Sequence, residues 1–189
     1  ANYFDANWQP QFESEGWKKA ITLYVDLMQK YGPPGAASNG FNENLSLFGQ
    51  GKCAMWIDAS VAASFVTDPK QSQVPDQVGF APAPCGIENC PNNGYNWLWA
   101  WSLAVPASSE KADAAQIFIG WATSKEMEQR RLEAGIASDV GRTSTLQSDA
   151  FKELVPQDYI DALLETGPKT DLLIMTSPVW PEIGDTLGL

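Results

Sequence analysis

The stretch Gly94-Tyr95-Asn96-Trp97-Leu98-Trp99-Ala100-Trp101-Ser102-Leu103-Ala104-Val105-Pro106 governs the reading of this chain. Three of the eight tryptophans stand at alternate positions in it, followed on the same parity by Leu103 and Val105. A strand sends alternate side chains to opposite faces. This period predicts a strand with Trp97, Trp99 and Trp101 on one face and Ala100, Ser102 and Ala104 on the other. Pro106 ends the strand, and Ser108-Ser109-Glu110 opens a helix with Ala114, Ala115, Phe118, Ile119 and Ala122 at helical spacing. Tryptophan combines a flat apolar face with one N–H donor, a surface suited to the C–H face of a sugar or polyol. The same three rings would fill a core equally well.

Outward from this stretch the same alternation continues, with no internal repeat and no low-complexity tract. Trp17, Ala20, Ile21, Tyr24, Leu27, Met28 and Tyr31 follow the helical period, with Ser14 as cap, and Gly32-Pro33-Pro34-Gly35 stops that helix. A short helix carrying Phe41, Leu45 and Phe48 ends at Gly49. Cys53 to Ile57 reads as a buried strand, Ser60 as the cap of a helix with Val61, Phe65 and Val66 packed, and Val78 to Ala81 as another strand. A helix runs from Ser124 to Gly135, then a loop to Gln147. Short helices follow near Asp149–Leu154 and Gln157–Glu165, and another opens near Trp180. Helices and strands in alternation predict an α/β fold. Trp8, Trp17 and Trp121 are assigned to the core.

Composition narrows the function classes. The 189 residues are 44% hydrophobic and 19% charged, enough to bury a core, with a net charge of −11. That balance, without a Lys/Arg cluster to offset it, argues against nucleic acid and against an anionic membrane surface. No apolar run is long enough to span a bilayer, and Ala1 to Pro10 lacks the basic start and apolar stretch of a signal peptide. Such a beginning is as consistent with a processed chain as with a cytoplasmic one. The absence of histidine removes His-based triads and the commonest metal ligand. Cys85 and Cys90 sit between prolines with four residues enclosed, a loop that can close into a disulfide, which favours an oxidising compartment. Cys53 reads as a small buried residue. No metal and no cofactor are expected.

Three ordered motifs carry a resemblance. They are Tyr31-Gly32-Pro33-Pro34-Gly35-Ala36, Asn39-Gly40-Phe41-Asn42-Glu43-Asn44 and Phe48-Gly49-Gln50-Gly51-Lys52-Cys53-Ala54-Met55-Trp56-Ile57-Asp58, followed by the Trp97–Pro106 strand and its helix. In that order they resemble bacterial extracellular solute-binding proteins (family 1) of ABC sugar and polyol importers, most of all the mannitol/sorbitol-type members. The likeness runs through nearly the whole chain but covers only the C-terminal half of such receptors, and the Cys85–Cys90 loop departs from the group.

The resemblance implies a periplasmic-binding-protein-like (type II) fold, as a fragment of a two-lobe receptor. Residues 1–84 and 149–189 would be C-terminal-lobe segments, 85–95 a hinge or crossover, and 96–148 a segment of the N-terminal lobe. It implies a polyol or small-sugar ligand held between lobes, ABC permease subunits and the missing N-terminal half as partners, and a periplasmic or extracellular location, with any membrane anchor in the missing N-terminus. Within that frame Trp97, Trp99 and Trp101 would form an aromatic wall. Asp58, at a strand end, would accept hydroxyl protons or cap the next helix. The planar donors of Arg142 would suit vicinal hydroxyls. Asn42 and Trp180 are further candidate contacts.

Two other classes remain open at this level. A glycosidase needs two carboxylates facing across a sugar; no acidic pair flanks the Trp strand, and no G-x-S-x-G, P-loop or G-x-G-x-x-G occurs. A β-sandwich carbohydrate-binding module also displays tryptophan platforms, but the helical periods at Trp17–Tyr31 and Ala112–Ala122 argue against it.

Overall fold

The computed structural model describes residues 3–84, 96–136, 139–171 and 178–188. The disulfide expected between Cys85 and Cys90 lies outside them. Helix α1 (Glu15–Tyr31) follows its period of apolar residues, with Ser14 extended at the N-cap position but making no side-chain cap bond. Its stop is steric. The Gly32 N–H closes the last turn on the Met28 carbonyl at 3.0 Å, and a Cβ at residue 32 would lie 2.4 Å from that oxygen. Pro33 and Pro34 cannot continue the ladder, and Gly35 turns the chain at φ +81°.

Helix α2 (Phe41–Gly49) begins with the Glu43 carboxylate accepting from the Gly40 N–H at 2.9 Å. Phe41 and Phe48 face Trp56, with ring centroids 5.4 and 6.0 Å away. The expected buried strand at Cys53–Ile57 is not formed. The stretch has no regular secondary structure, with a bend at Ala54; Trp56 is half-buried and Met55 is 87% exposed. Cys53 is a half-buried free thiol. Ser60 stands inside a 3-10 turn (Ser60–Ala62) rather than capping helix α3 (Ala63–Val66). Val78 to Ala81 likewise forms no strand; the Phe80 N–H donates instead to Asp158 Oδ2 at 2.8 Å.

Strand β1 (Asn96–Trp97) pairs in parallel with β2 (Thr170–Asp171), in the register Asn96 to Thr170 and Trp97 to Asp171. Helix α4 (Ala112–Ala122) half-buries Ala115, Ile119 and Ala122, while Phe118, expected inward, is exposed beside Trp121. Trp8 and Trp121, assigned to the core from sequence, are also exposed. Their ring neighbours are the half-buried Phe4 and the exposed Phe118.

In helix α5 (Lys125–Glu133) the Ser124 hydroxyl accepts from the Met127 N–H, and Gly135 turns away at φ +74°. The expected loop to Gln147 contains one helical turn, α6 (Thr143–Leu146), which single-turn spacing could not signal. Helices α7 (Asp149–Lys152), α8 (Gln157–Thr166) and α9 (Trp180–Gly188) complete the order.

The core is small. Ala63, Leu132, Phe151, Tyr159 and Ile160 form one cluster, with Phe80, Val140, Leu146, Ala150, Val155 and Leu163 packed on it. It draws on α3, α5, α7 and α8, so residues on both sides of the 148/149 division share one packed unit. Elsewhere apolar surface is open. No residue of α1 is buried, and Ile117 on α4 and Ile57 are more than 70% exposed. The chain exposes 14139 Å², against about 9,000 Å² for a compact monomer of this mass.

Candidate functional site

The expected strand to Pro106 is not formed: β1 covers Asn96–Trp97 alone, and residues 98–105 pair with no strand. The three tryptophan rings still neighbour one another in turn, as a strip. Trp97 and Trp99 have ring centroids 5.6 Å apart, Trp99 and Trp101 6.0 Å, all tilted or edge-on to their neighbours. Exposure rises along it from 48% at Trp97 to 90% at Trp101. Three apolar rings lined up in solvent are a surface for a flat apolar partner, with an indole N–H on each.

Asp58 is exposed, and its Oδ1 accepts from the Ala59 N–H at 2.7 Å. It does not cap the turn that follows. Arg142 is more committed. Its Nη2 donates to the Thr123 carbonyl at 2.6 Å, and Nε lies 3.7 Å from Glu128 Oε2. The guanidinium thus ties the loop before α6 to the end of α4 and to α5, with its side chain 44% exposed.

Glu128 holds that loop from beneath. Its carboxylate accepts from the Gly141 N–H at 2.8 Å and from the Thr145 hydroxyl, and its side chain is 15% exposed. Hydrogen bonds to a charged group contribute about 1.5–3 kcal/mol, whereas the longer, half-exposed ion pair to Arg142 adds little. Glu128→Ala is expected to lower unfolding free energy by about 2 kcal/mol, read from urea midpoints. A change below about 0.5 kcal/mol would remove this role.

The structure joins the Asp58 and Arg142 segments. Ser60 Oγ donates to Asp139 Oδ1 at 2.7 Å, and the buried Tyr159 hydroxyl reaches the Ser60 carbonyl at 3.2 Å and Asp139 Oδ1 at 3.4 Å. Burial first, then the Asp139 charge, pushes the Tyr159 hydroxyl well above its ordinary value of 10.0. The folded chain then holds this proton more tightly than the unfolded chain. The corresponding stability is full below the ordinary value and is lost as pH rises from there towards the raised one. Urea unfolding through the alkaline range should show stability falling above pH 10.0, with a shallower fall in Tyr159→Phe. Equal slopes would place Tyr159 outside this linkage.

Asn42 and Trp180 stand elsewhere. Asn42 is exposed on the first turn of α2 and lines two concavities. One, of about 210 Å³, is shared with Leu45, Gly49, Phe65 and Gln71; the other, of about 450 Å³, with Pro34, Asn39 and Glu43. The Glu43 carboxyl beside it is held below its ordinary value by hydrogen bonds from its own N–H and that of Gly40. Trp180 starts α9 half-buried, edge-on to Tyr3 at 5.1 Å, in an aromatic group that includes Phe12 and Trp17. Its ring is therefore engaged in packing.

Sequence reading missed Ser60, Glu128, Asp139 and Tyr159 as parts of this arrangement. The partners of Tyr159 lie 99 and 20 positions away, and no local spacing encodes such pairing. Among the described residues no cluster of His, Cys, Asp and Glu could hold a metal, and no helix is long and apolar enough to cross a membrane.

Comparison with known proteins gives the family and the fold. The profile of the family described as bacterial extracellular solute-binding protein matches residues 1–129. The chain is 42% identical to the mannitol-binding protein of Pseudomonas aeruginosa over 201 aligned positions, covering 100% of this chain and 45% of that protein. A solute-binding protein of an ABC transporter from Agrobacterium vitis, crystallised with D-mannitol, superposes with a TM-score of 0.85 at 44% identity, over 100% of this chain and 48% of that one. A second, from Agrobacterium radiobacter in complex with ribitol, gives 0.83 at 27% identity, over 100% and 46%. The α/β, periplasmic-binding-protein-like fold expected from sequence is the fold of these structures, and the chain spans about half the length of each relative.

Proposed function

This chain belongs to the bacterial extracellular solute-binding protein family, and from that premise we propose that it forms part of an ABC importer's receptor for a linear polyol. The tryptophan strip carries the reading. Trp97, Trp99 and Trp101 present contiguous, solvent-facing apolar rings in a chain whose whole length superposes on a mannitol-bound receptor. The rings take the carbon chain of the polyol. Asp58 accepts hydroxyl protons, and the exposed edge of Arg142 donates to vicinal oxygens. Asn42, which lines separate concavities beside α2, is a further proposed contact.

Binding rather than catalysis is the role, in a periplasmic or extracellular setting, with delivery to the permease subunits of the importer. The missing N-terminal half of the same receptor covers the open apolar surface of α1 and α4. The lobe boundary falls before α5, because α5 to α8 share one core with α3. We also propose that Cys85 and Cys90, which lie outside the described residues, pair as a disulfide under oxidising conditions, and intact mass before and after reduction and alkylation tests it. Two freely alkylating thiols there would remove it.

Calorimetry with mannitol, ribitol, glucose and maltose tests the function, on this chain alone and joined to the remainder of a full-length receptor. A polyol should bind with about −8 kcal/mol or better, micromolar affinity. Tight binding of a disaccharide with no polyol response would overturn the ligand class. Silence towards every ligand in both forms would overturn the receptor reading.

A further inference from the structure

The first turn of α8 gathers three stretches that are far apart in sequence. Asp158 Oδ2 accepts from the Phe80 N–H at 2.8 Å, and next to it the Tyr159 hydroxyl meets both Ser60 and Asp139. The Tyr159 ring is 3% exposed and packs edge-on to Phe80, with centroids 5.1 Å apart. Its oxygen is therefore delivered from the core by a side chain with nowhere else to go. Ser60 completes the triangle by donating to Asp139 Oδ1 at 2.7 Å.

Two of these three groups sit beside proposed ligand contacts. Ser60 is two residues from Asp58, and Asp139 is three from Arg142. Arg142 is independently anchored through the Thr123 carbonyl and Glu128. Among the described residues Asp58 makes one bond, to its neighbour's N–H, and the Ser60–Asp139 bond links its segment to that of Arg142. Binding groups must be held within about 0.5 Å of the productive geometry, and an exposed carboxylate in a segment without regular secondary structure is not so held by itself.

We propose that Tyr159 and Asp139 are positioning residues of the polyol site, acting through Ser60 to hold Asp58 in register with Arg142. The proposal rests on the polyol-receptor reading above. Asp139 does not touch the ligand in this scheme; it converts the rigidity of the α8 core into the spacing of a carboxylate and a guanidinium.

The test uses Ser60→Ala, Ser60→Thr and Tyr159→Phe in the form of the protein that binds mannitol. Amide hydrogen exchange is followed over residues 56–64 and 139–146, mannitol affinity by calorimetry, and folding by thermal melting. Ser60→Ala should weaken mannitol binding about tenfold, the equivalent of one lost hydrogen bond, and speed exchange in both segments together. Ser60→Thr keeps the hydroxyl and should restore both. Tyr159→Phe keeps the ring and should reproduce the Ser60→Ala loss. A purely structural role would lower the melting temperature and leave affinity unmoved. Unchanged affinity in both Ser60→Ala and Tyr159→Phe, with the parent binding mannitol, would overturn the positioning role alone. A parent that binds neither mannitol nor ribitol would overturn the polyol reading on which it rests.

Discussion

Phe151→Ala should cost this chain about 3–5 kcal/mol of folding stability, more than a hundredfold in its unfolding equilibrium. Phe151 is 0% exposed and, with Ile160, the largest fully buried side chain among the described residues. It sits on α7 where it meets α3, α5 and α8 at once, so its loss leaves a cavity that several elements would have to close together. A domain typically has only about 5–15 kcal/mol of net stability, and this cluster is small. The chemical-denaturation midpoint should fall sharply, whereas Lys152→Ala, on the exposed side of the same turn, should stay within about 0.5 kcal/mol of the parent. A Phe151→Ala loss under about 1 kcal/mol would mean that the stabilising contacts lie elsewhere.

The second large effect concerns affinity. Trp101 is 90% exposed, so Trp101→Ala removes almost no buried area and should leave melting nearly unchanged. A buried tryptophan would cost about 3–5 kcal/mol instead. If the strip is the wall of the polyol site, the same substitution should weaken mannitol binding by roughly tenfold or more, as loss of an aromatic anchor does. Asp58→Ala should act in parallel. Its carboxylate makes only one local bond, so folding tolerates the change, while lost charge-assisted bonds to hydroxyls should reduce affinity by roughly ten- to a hundredfold. Both variants folding and binding mannitol like the parent would place the ligand away from these residues.

What sequence revealed and what it concealed divide along physical lines. The helices α1, α4, α5 and α8 were legible because a 3.6-residue period, a serine cap before α5 and glycine stops at Gly32 and Gly135 are local signals. The alternation of Trp97, Trp99 and Trp101 was legible for the same reason. Extended segments were not. Met55 and Ile57, and Phe118 even on the legible helix α4, have side chains that ask for burial, and whether they get it depends on which surfaces face them, which no period records. Arg142 was legible as a polar group in a loop, but its engagement with the Thr123 carbonyl and Glu128 was not. The Ser60–Asp139–Tyr159 link is the clearest case, since its members come from three separate regions and each alone looks like an ordinary surface or core residue.

Helix α1 has a thermodynamic consequence of its own. It has 17 residues and none buried, and helical peptides near that length are marginal in water without tertiary packing. Ile21, Thr22 and Val25 add β-branched positions that further lower its intrinsic propensity. Its winding therefore depends on packing against other parts of the receptor more than on its own propensity. In this chain alone, amide exchange along α1 should run faster than along α8, where Tyr159 and Ile160 are buried.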